Sequence, residues 1–66
     1  MARASTAWVL VRKGPGAPPV YFTISGDEVQ WQRDAKQALR FARREDALNM
    51  KRAYVIDSQP EEVMFG

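Results

Sequence analysis

The segment from Trp31 to Leu48, WQRDAKQALRFARREDAL, constrains the fold most, because its helical spacing begins clearly and then stops. Its first small and apolar residues recur at the spacing of one helix face: Ala35, Ala38, Leu39 and Ala42. The next positions on that face are polar: Glu45, Asp46 and Asn49. One straight helix would bury two carboxylates against its own core, so we expect a break or turn near residues 42–44.

The residues around this break predict two short helices. Asp34 is suited to be an N-cap, because its carboxylate can accept from free backbone donors, and a first helix should run from Ala35 to Ala42. A second helix is predicted over Glu45–Met50. Acidic residues stand in its first turn and Lys51 and Arg52 in its last, an arrangement that complements the helix dipole.

Three segments have the composition of strands. Residues 7–12 are apolar at both alternating sets of positions, which is typical of a strand that is central or covered on both sides. Residues 20–24 alternate in the manner of a half-buried strand, after a glycine- and proline-rich loop at 13–19. Residues 53–57 predict the last strand, which Pro60 should end, and residues 29–32 are a candidate third strand.

The predicted fold class is therefore α+β, with the order β-β-(β)-α-α-β. We expect a small three-stranded, or four-stranded, mostly antiparallel sheet with one broken helix or two short helices packed on one face. Residues 1–66 should form one small domain, with flexible ends at 1–6 and 58–66. In the second of these ends, Val63 and Phe65 alternate with other residues and could add to the edge strand of a partner or of a second copy.

Composition argues against catalysis. The 66 residues include neither Cys nor His, so the usual nucleophile–base pairs and soft-metal ligands are missing, and we predict no enzymatic activity, metal or cofactor. The apolar run near the amino terminus, Ala7–Val11, is too short for a signal-peptide core or a membrane span. We therefore expect a cytoplasmic protein with no membrane partner.

A spaced pattern links the helical segment to a known group of proteins. It consists of Trp31-x2-Asp34-x3-Ala38-x2-Phe41-x5-Ala47, behind a Tyr/Phe-rich strand and ahead of a Val-rich one. Over residues 12–57 it resembles small uncharacterised proteins of bacteriophages and prophages. The resemblance implies a phage-type origin, a β-β-α-β fold and, for a phage-encoded protein, the host cytoplasm. Arg43 departs from it, because Ser, Thr or Asp is more usual where the second helix is capped.

Basic residues concentrate in the helical segment, since residues 33–52 hold seven basic and three acidic side chains. On a helical wheel, five of them fall within roughly 100° of each other, opposite the apolar face: Arg33, Lys36, Arg40, Arg43 and Arg44. A solvated helix face is the usual role of such a stripe. The alternative is a small nucleic-acid-binding module that uses these five residues to neutralise phosphates.

Our principal functional hypothesis is a non-enzymatic interaction protein of phage or prophage type that binds another macromolecule, most simply a protein. The candidate partner-binding residues are Arg40, Arg43 and Arg44 at the break, followed by Tyr21 and Tyr54 on the open side of the sheet. Trp8, Trp31 and Phe41 are assigned to the core, because so small a domain needs its aromatic residues there. A homo-oligomeric structural or assembly protein, with a homodimer as its simplest form, is a further alternative.

Overall fold

A computed structural model describes residues 5–54 and 56–65, and in this part of the chain a four-stranded antiparallel sheet packs against one α-helix. The strands are β1 (Ser5–Arg12), β2 (Val20–Ser25), β3 (Glu28–Gln32) and β4 (Gln59–Phe65). They lie in the order β3-β2-β1-β4. A 3-10 turn covers Ala35–Gln37, and α1 covers Arg44–Tyr54. The predicted α+β class is confirmed.

The first two strands form where the sequence predicts them, and the candidate third strand is also present. β2 and β3 make a hairpin closed by Gly26 and Asp27, with Ser25 opposite Glu28. Gly26 has a φ of +62°, a conformation that suits glycine because other residues would bring their Cβ into the backbone. This turn chemistry fixes the hairpin register.

The main core lies between the helix and one face of the sheet, which we call the helix face. Its buried members are Leu10, Phe22, Ala47 and Ile56. Trp8, Trp31 and Phe41, which the sequence assigns to the core, pack against them. The Phe22 ring meets Trp31 edge-on, with centroids 5.9 Å apart. Aromatic side chains therefore supply much of the apolar area that this small domain buries.

The opposite side of the sheet, which we call the second face, also has buried residues. Side chains alternate along β1, so Val9 and Val11 point away from Leu10, yet they are only 0% and 3% exposed. β1 is an inner strand, flanked by β2 and β4. Its double apolar pattern thus has the structural meaning that the sequence predicts.

β1 and β2 separate after a short pairing and form a fork. Their register includes only Val11 with Tyr21 and Arg12 with Val20. The extended segment 39–41 fills the gap: Leu39 donates its N–H to the Phe22 carbonyl (3.0 Å), and Phe41 exchanges two 2.8 Å backbone hydrogen bonds with Trp8. The chain passes through the sheet here, from the 3-10 turn to α1 on the helix face.

This crossing segment corrects the predicted first helix. Only Ala35–Gln37 turns, and Ala38 is already extended, with φ −71° and ψ 148°. In the described residues there is therefore one α-helix, not two or one broken helix. The strand bonds to Trp8 and Phe22 satisfy the backbone here, and they outweigh the helical spacing of the alanines. The second predicted helix is confirmed as α1, which begins earlier and ends later than Glu45–Met50.

The last predicted strand, residues 53–57, is wrong. The sheet has four strands, the alternative count of the prediction, rather than three. Ala53 and Tyr54 are the end of α1, and Ile56 closes it with an N–H bond to the Lys51 carbonyl (3.0 Å). Val55 lies outside the described residues. The strand forms instead at Gln59–Phe65 and pairs with β1 from Ser5 opposite Phe65 to Val11 opposite Gln59. The flexibility expected of both ends stays a prediction.

Candidate interaction site at Arg40

The arginine at the centre of the crossing segment points to the second face. Leu39 and Phe41 pack toward the helix-face core, so the side chain of Arg40 between them is directed to the other side. Its guanidinium carbon lies 3.8 Å from the centroid of the Phe65 ring, a cation–π contact of about 0.5–1 kcal/mol. A guanidinium that contacts a ring face through its carbon still has N–H donors at its edge that can bind a carboxylate.

Arg40 and Phe65 belong to an open cleft of about 580 Å³ between the 3-10 turn and the end of β4. The lining residues are Ser5, Asp34, Ala35, Lys36, Arg40, Val63, Met64 and Phe65. The cleft thus combines two cations with an apolar floor from β4. Within residues 5–54 and 56–65, no carboxylate lies within ion-pair distance of Arg40 or Lys36.

One acidic residue of the cleft has a local role. Asp34 occupies the N-cap of the 3-10 turn, and its Oδ1 accepts from the Lys36 backbone N–H at 2.9 Å. The predicted capping function of Asp34 is therefore confirmed, although it caps a single turn and not a helix. This cap fixes the backbone of Lys36, which lines the cleft together with Arg40.

The other arginines of the predicted site lie elsewhere. Arg43 is at the N-cap position of α1, where its carbonyl accepts from Asp46 and Ala47, and its Nε lies 3.5 Å from the Asp46 carboxylate. Arg44 is the first residue of α1 and is exposed. Arg33 follows β3. The five basic residues therefore do not share one helix face, because no helix connects them.

The two tyrosines are also separated. Tyr21 lies opposite Val11, so its half-buried side chain is on the second face with Arg40. Tyr54 ends α1 on the helix side, 47% exposed, with its ring centroid 6.1 Å from that of Phe22. The predicted open-sheet position is therefore wrong for Tyr54, since its segment is helical and not a strand.

Phe65 is the residue that sequence reasoning did not place in the site. The sequence does contain one relevant signal. Phe65 and Val63 are two positions apart, which predicts that they lie on the same face of a strand. The contact with Arg40 depends on the pairing of β4 with β1, between residues at opposite ends of the sequence. Local pattern contains no information on that pairing.

A second polar cluster lies where β1 ends and β4 begins. Arg12 stacks on Trp31 (3.9 Å to the centroid) and donates from Nε to the Asp57 carbonyl (3.1 Å). A cavity of about 90 Å³ beside it contains the buried hydroxyl of Ser58, and Lys13 pairs with Glu61 at 3.1 Å. Lys13 is paired with a carboxylate, and Arg12 is bonded to a backbone carbonyl just beyond α1, so this cluster ties the sheet to the end of α1.

Among the described residues, no three acidic side chains come together as a metal-binding group. None of these residues belongs to a helix long and apolar enough to cross a membrane. Comparison with protein-family models, curated protein sequences and solved structures finds no match to this chain.

Proposed function

We propose that this chain is a non-enzymatic, cytoplasmic interaction protein of phage or prophage type that binds another protein through the Arg40 cleft. The supporting observation is the stacking of Arg40 on Phe65 beside Lys36, above the apolar residues of β4. Arginine and aromatic side chains at the centre of an apolar patch are typical of residues that dominate binding energy. The chemistry fits a segment that presents a carboxylate next to an apolar side chain.

We propose one principal arginine in place of the five candidate partner-binding residues. Arg43 already contacts Asp46, and Arg44 lies outside the cleft. Tyr54 is on the opposite side of the sheet from Arg40. We therefore assign the principal contact to Arg40, with Lys36 and Phe65 as its neighbours.

The test compares one substitution at two exposed arginines. The wild type, Arg40→Glu and Arg44→Glu are immobilised at equal density and exposed to a bacterial lysate. Arg44→Glu is the matched control, because it makes the same charge reversal in the first turn of α1, where a carboxylate is tolerated by the helix dipole. We expect a partner that the wild type and Arg44→Glu retain and Arg40→Glu loses.

A partner that all three proteins capture equally well would contradict the assignment to Arg40. Retention of DNA or RNA that disappears between low and moderate salt would favour the nucleic-acid alternative instead, because phosphate contacts depend steeply on salt. The basic side chains of that alternative, Arg33 through Arg44, are dispersed over a turn, an extended segment and a helix start. We therefore place protein binding first.

A further inference from the structure

The hydrogen bonds of Trp8 determine which backbone groups β4 presents outward. Trp8 exchanges both of its backbone bonds with Phe41, on the side of β1 that faces the fork. In an antiparallel ladder the direction alternates with each residue, so Trp8 and its partner Glu62 form a pair without mutual hydrogen bonds. The same alternation applies at Leu10 opposite Pro60, where proline has no N–H to donate.

The N–H and C=O groups of Glu62 and Met64 therefore point away from β1. β4 is the end strand of the sheet, and no described strand pairs with its outer edge. Met64 on this edge is 71% exposed, the most exposed large apolar residue of the described chain. An unpaired edge of this kind is a ready template for another strand.

We propose that a second copy of this chain pairs with this edge, β4 against β4 in antiparallel orientation, with the two-fold axis at Val63. This proposal rests on the proposed function, since it names the protein that comes to the mouth of the Arg40 cleft. The two sheets would join into one of eight strands. Such a closed, two-fold arrangement uses the same surface on both copies.

The register follows from eliminating the alternatives. A pairing centred on Glu62 would place its carboxylate opposite the same carboxylate of the second copy. A pairing centred on Glu61 would likewise place two Glu61 carboxylates opposite each other. It would also align Pro60 with an outward-facing residue whose carbonyl needs an N–H donor, which proline lacks. A pairing centred on Met64 would overlap only residues 63–65 of the described part of β4. The Val63 register instead places Glu62 opposite Met64 of the second copy, where the two exchange backbone bonds.

Charge complementarity supports this same register. Phe65 and Glu61 both lie on the second face, because both occupy alternate positions of β4. With the axis at Val63, Glu61 of the second copy stands opposite Phe65, with their Cβ atoms about 5 Å apart. The guanidinium of Arg40 lies on that ring. The pairing thus brings a carboxylate to Arg40, and the two-fold axis repeats the contact.

A single cysteine at the axis tests the proposal directly. Val63 pairs with itself in a position without hydrogen bonds, where Cα atoms approach to about 4.5 Å, within disulfide range. The chain has no Cys of its own, so Val63→Cys is read without background. Under mild oxidation we expect it to form a covalent dimer much faster than Ser25→Cys, the control in the β2–β3 turn. Equal rates would overturn the proposal.

A charge exchange tests the contact between Arg40 and Glu61. Glu61 also faces Lys13, so all variants are made in a Lys13→Gln background, and the mass is measured by light scattering across a concentration series. We expect Arg40→Glu and Glu61→Arg each to weaken dimerisation at least about tenfold. The double exchange should recover it, and Arg44→Glu should leave it unchanged. A dimer that ignores both single reversals would overturn the register.

A proline substitution tests the outer edge of β4 without changing its pairing with β1. Met64→Pro removes an N–H that points outward, so it should abolish the dimer while the β1–β4 ladder keeps its bonds. A mass of one chain for the wild type at every concentration would overturn the proposed self-association. In that case, Arg40-dependent capture of a different protein would still support the proposed function, so the two failures are distinguishable.

Discussion

The two faces of the sheet bury apolar residues to similar depth but use them differently. On the helix face, Leu10 and Phe22 are covered by α1 and surrounded by aromatic rings. On the second face, Val9 and Val11 are buried without a helix above them, and the 3-10 turn and Arg40 stand at the rim. We therefore expect the helix face to supply most of the stability, while the second face leaves its charged residues available for contact.

The largest expected effect is on the helix face. Phe22→Ala removes the largest fully buried side chain and its contacts with Trp31 and Tyr54. We expect a loss of about 3–5 kcal/mol in the free energy of unfolding, measured by urea denaturation. A domain of this size has only about 3–10 kcal/mol in total, so the variant should be partly unfolded.

Phe22→Leu is the matched control for the same urea measurement, because this variant keeps an apolar side chain and should remain folded. A loss below about 1 kcal/mol for Phe22→Ala would show that the helix face is not the dominant core.

A smaller loss is expected from the second face. Val9→Ala removes two buried methyl groups, and we expect a cost of about 2 kcal/mol, which lowers the melting temperature by about 8–16 °C. The calorimetric comparison with Phe22→Ala then ranks the two faces. An effect of Val9→Ala as large as that of Phe22→Ala would remove the distinction between them.

The 3-10 turn should contribute less than either buried residue. Asp34→Ala removes the side-chain acceptor for the Lys36 N–H, and we expect a loss of about 1 kcal/mol by urea denaturation. Asp34→Asn keeps an acceptor and should lose less. Equal losses in the two variants would mean that charge, and not the capping bond, is responsible.

The smallest effect on folding is expected for Arg40. Arg40→Glu removes an exposed cation–π contact, and we expect no more than about 1 kcal/mol of lost stability. A much larger loss would mean that Arg40 is mainly structural. Intact folding together with lost association would confirm that the second face has a binding role.

The parts of the fold that sequence predicts are those whose signals are local. The alternation of residues 20–24, the glycine turn after Ser25 and the charges of α1 each specify their own element. The prediction of a helix over Ala35–Ala42 is wrong, because the same spacing is compatible with a helix and, at Leu39 and Phe41, with an extended segment. The outcome is decided by bonds to Trp8 and Phe22, which are distant in sequence.

β4 illustrates a different limit. From the sequence alone, Pro60 indicates the end of a strand, because proline has no N–H to donate to a ladder and the position of the strand in the sheet is not known. On an edge strand, with its nitrogen directed outward, the same residue is compatible with continued pairing. The same limit applies to the candidate site. Arg40 was predicted from its charge, but the contact of Phe65 with it requires that β4 be placed correctly in the sheet.

The fork also bears on the order in which the chain folds. Pairs within the β2–β3 hairpin are separated by at most 11 residues, whereas those between β1 and β4 are separated by 48 to 60. β1 cannot pair with β2 along its whole length, because segment 39–41 lies between the two strands. We therefore expect the most buried strand to be secured late, after long loops have closed, and the domain to fold slowly for its length.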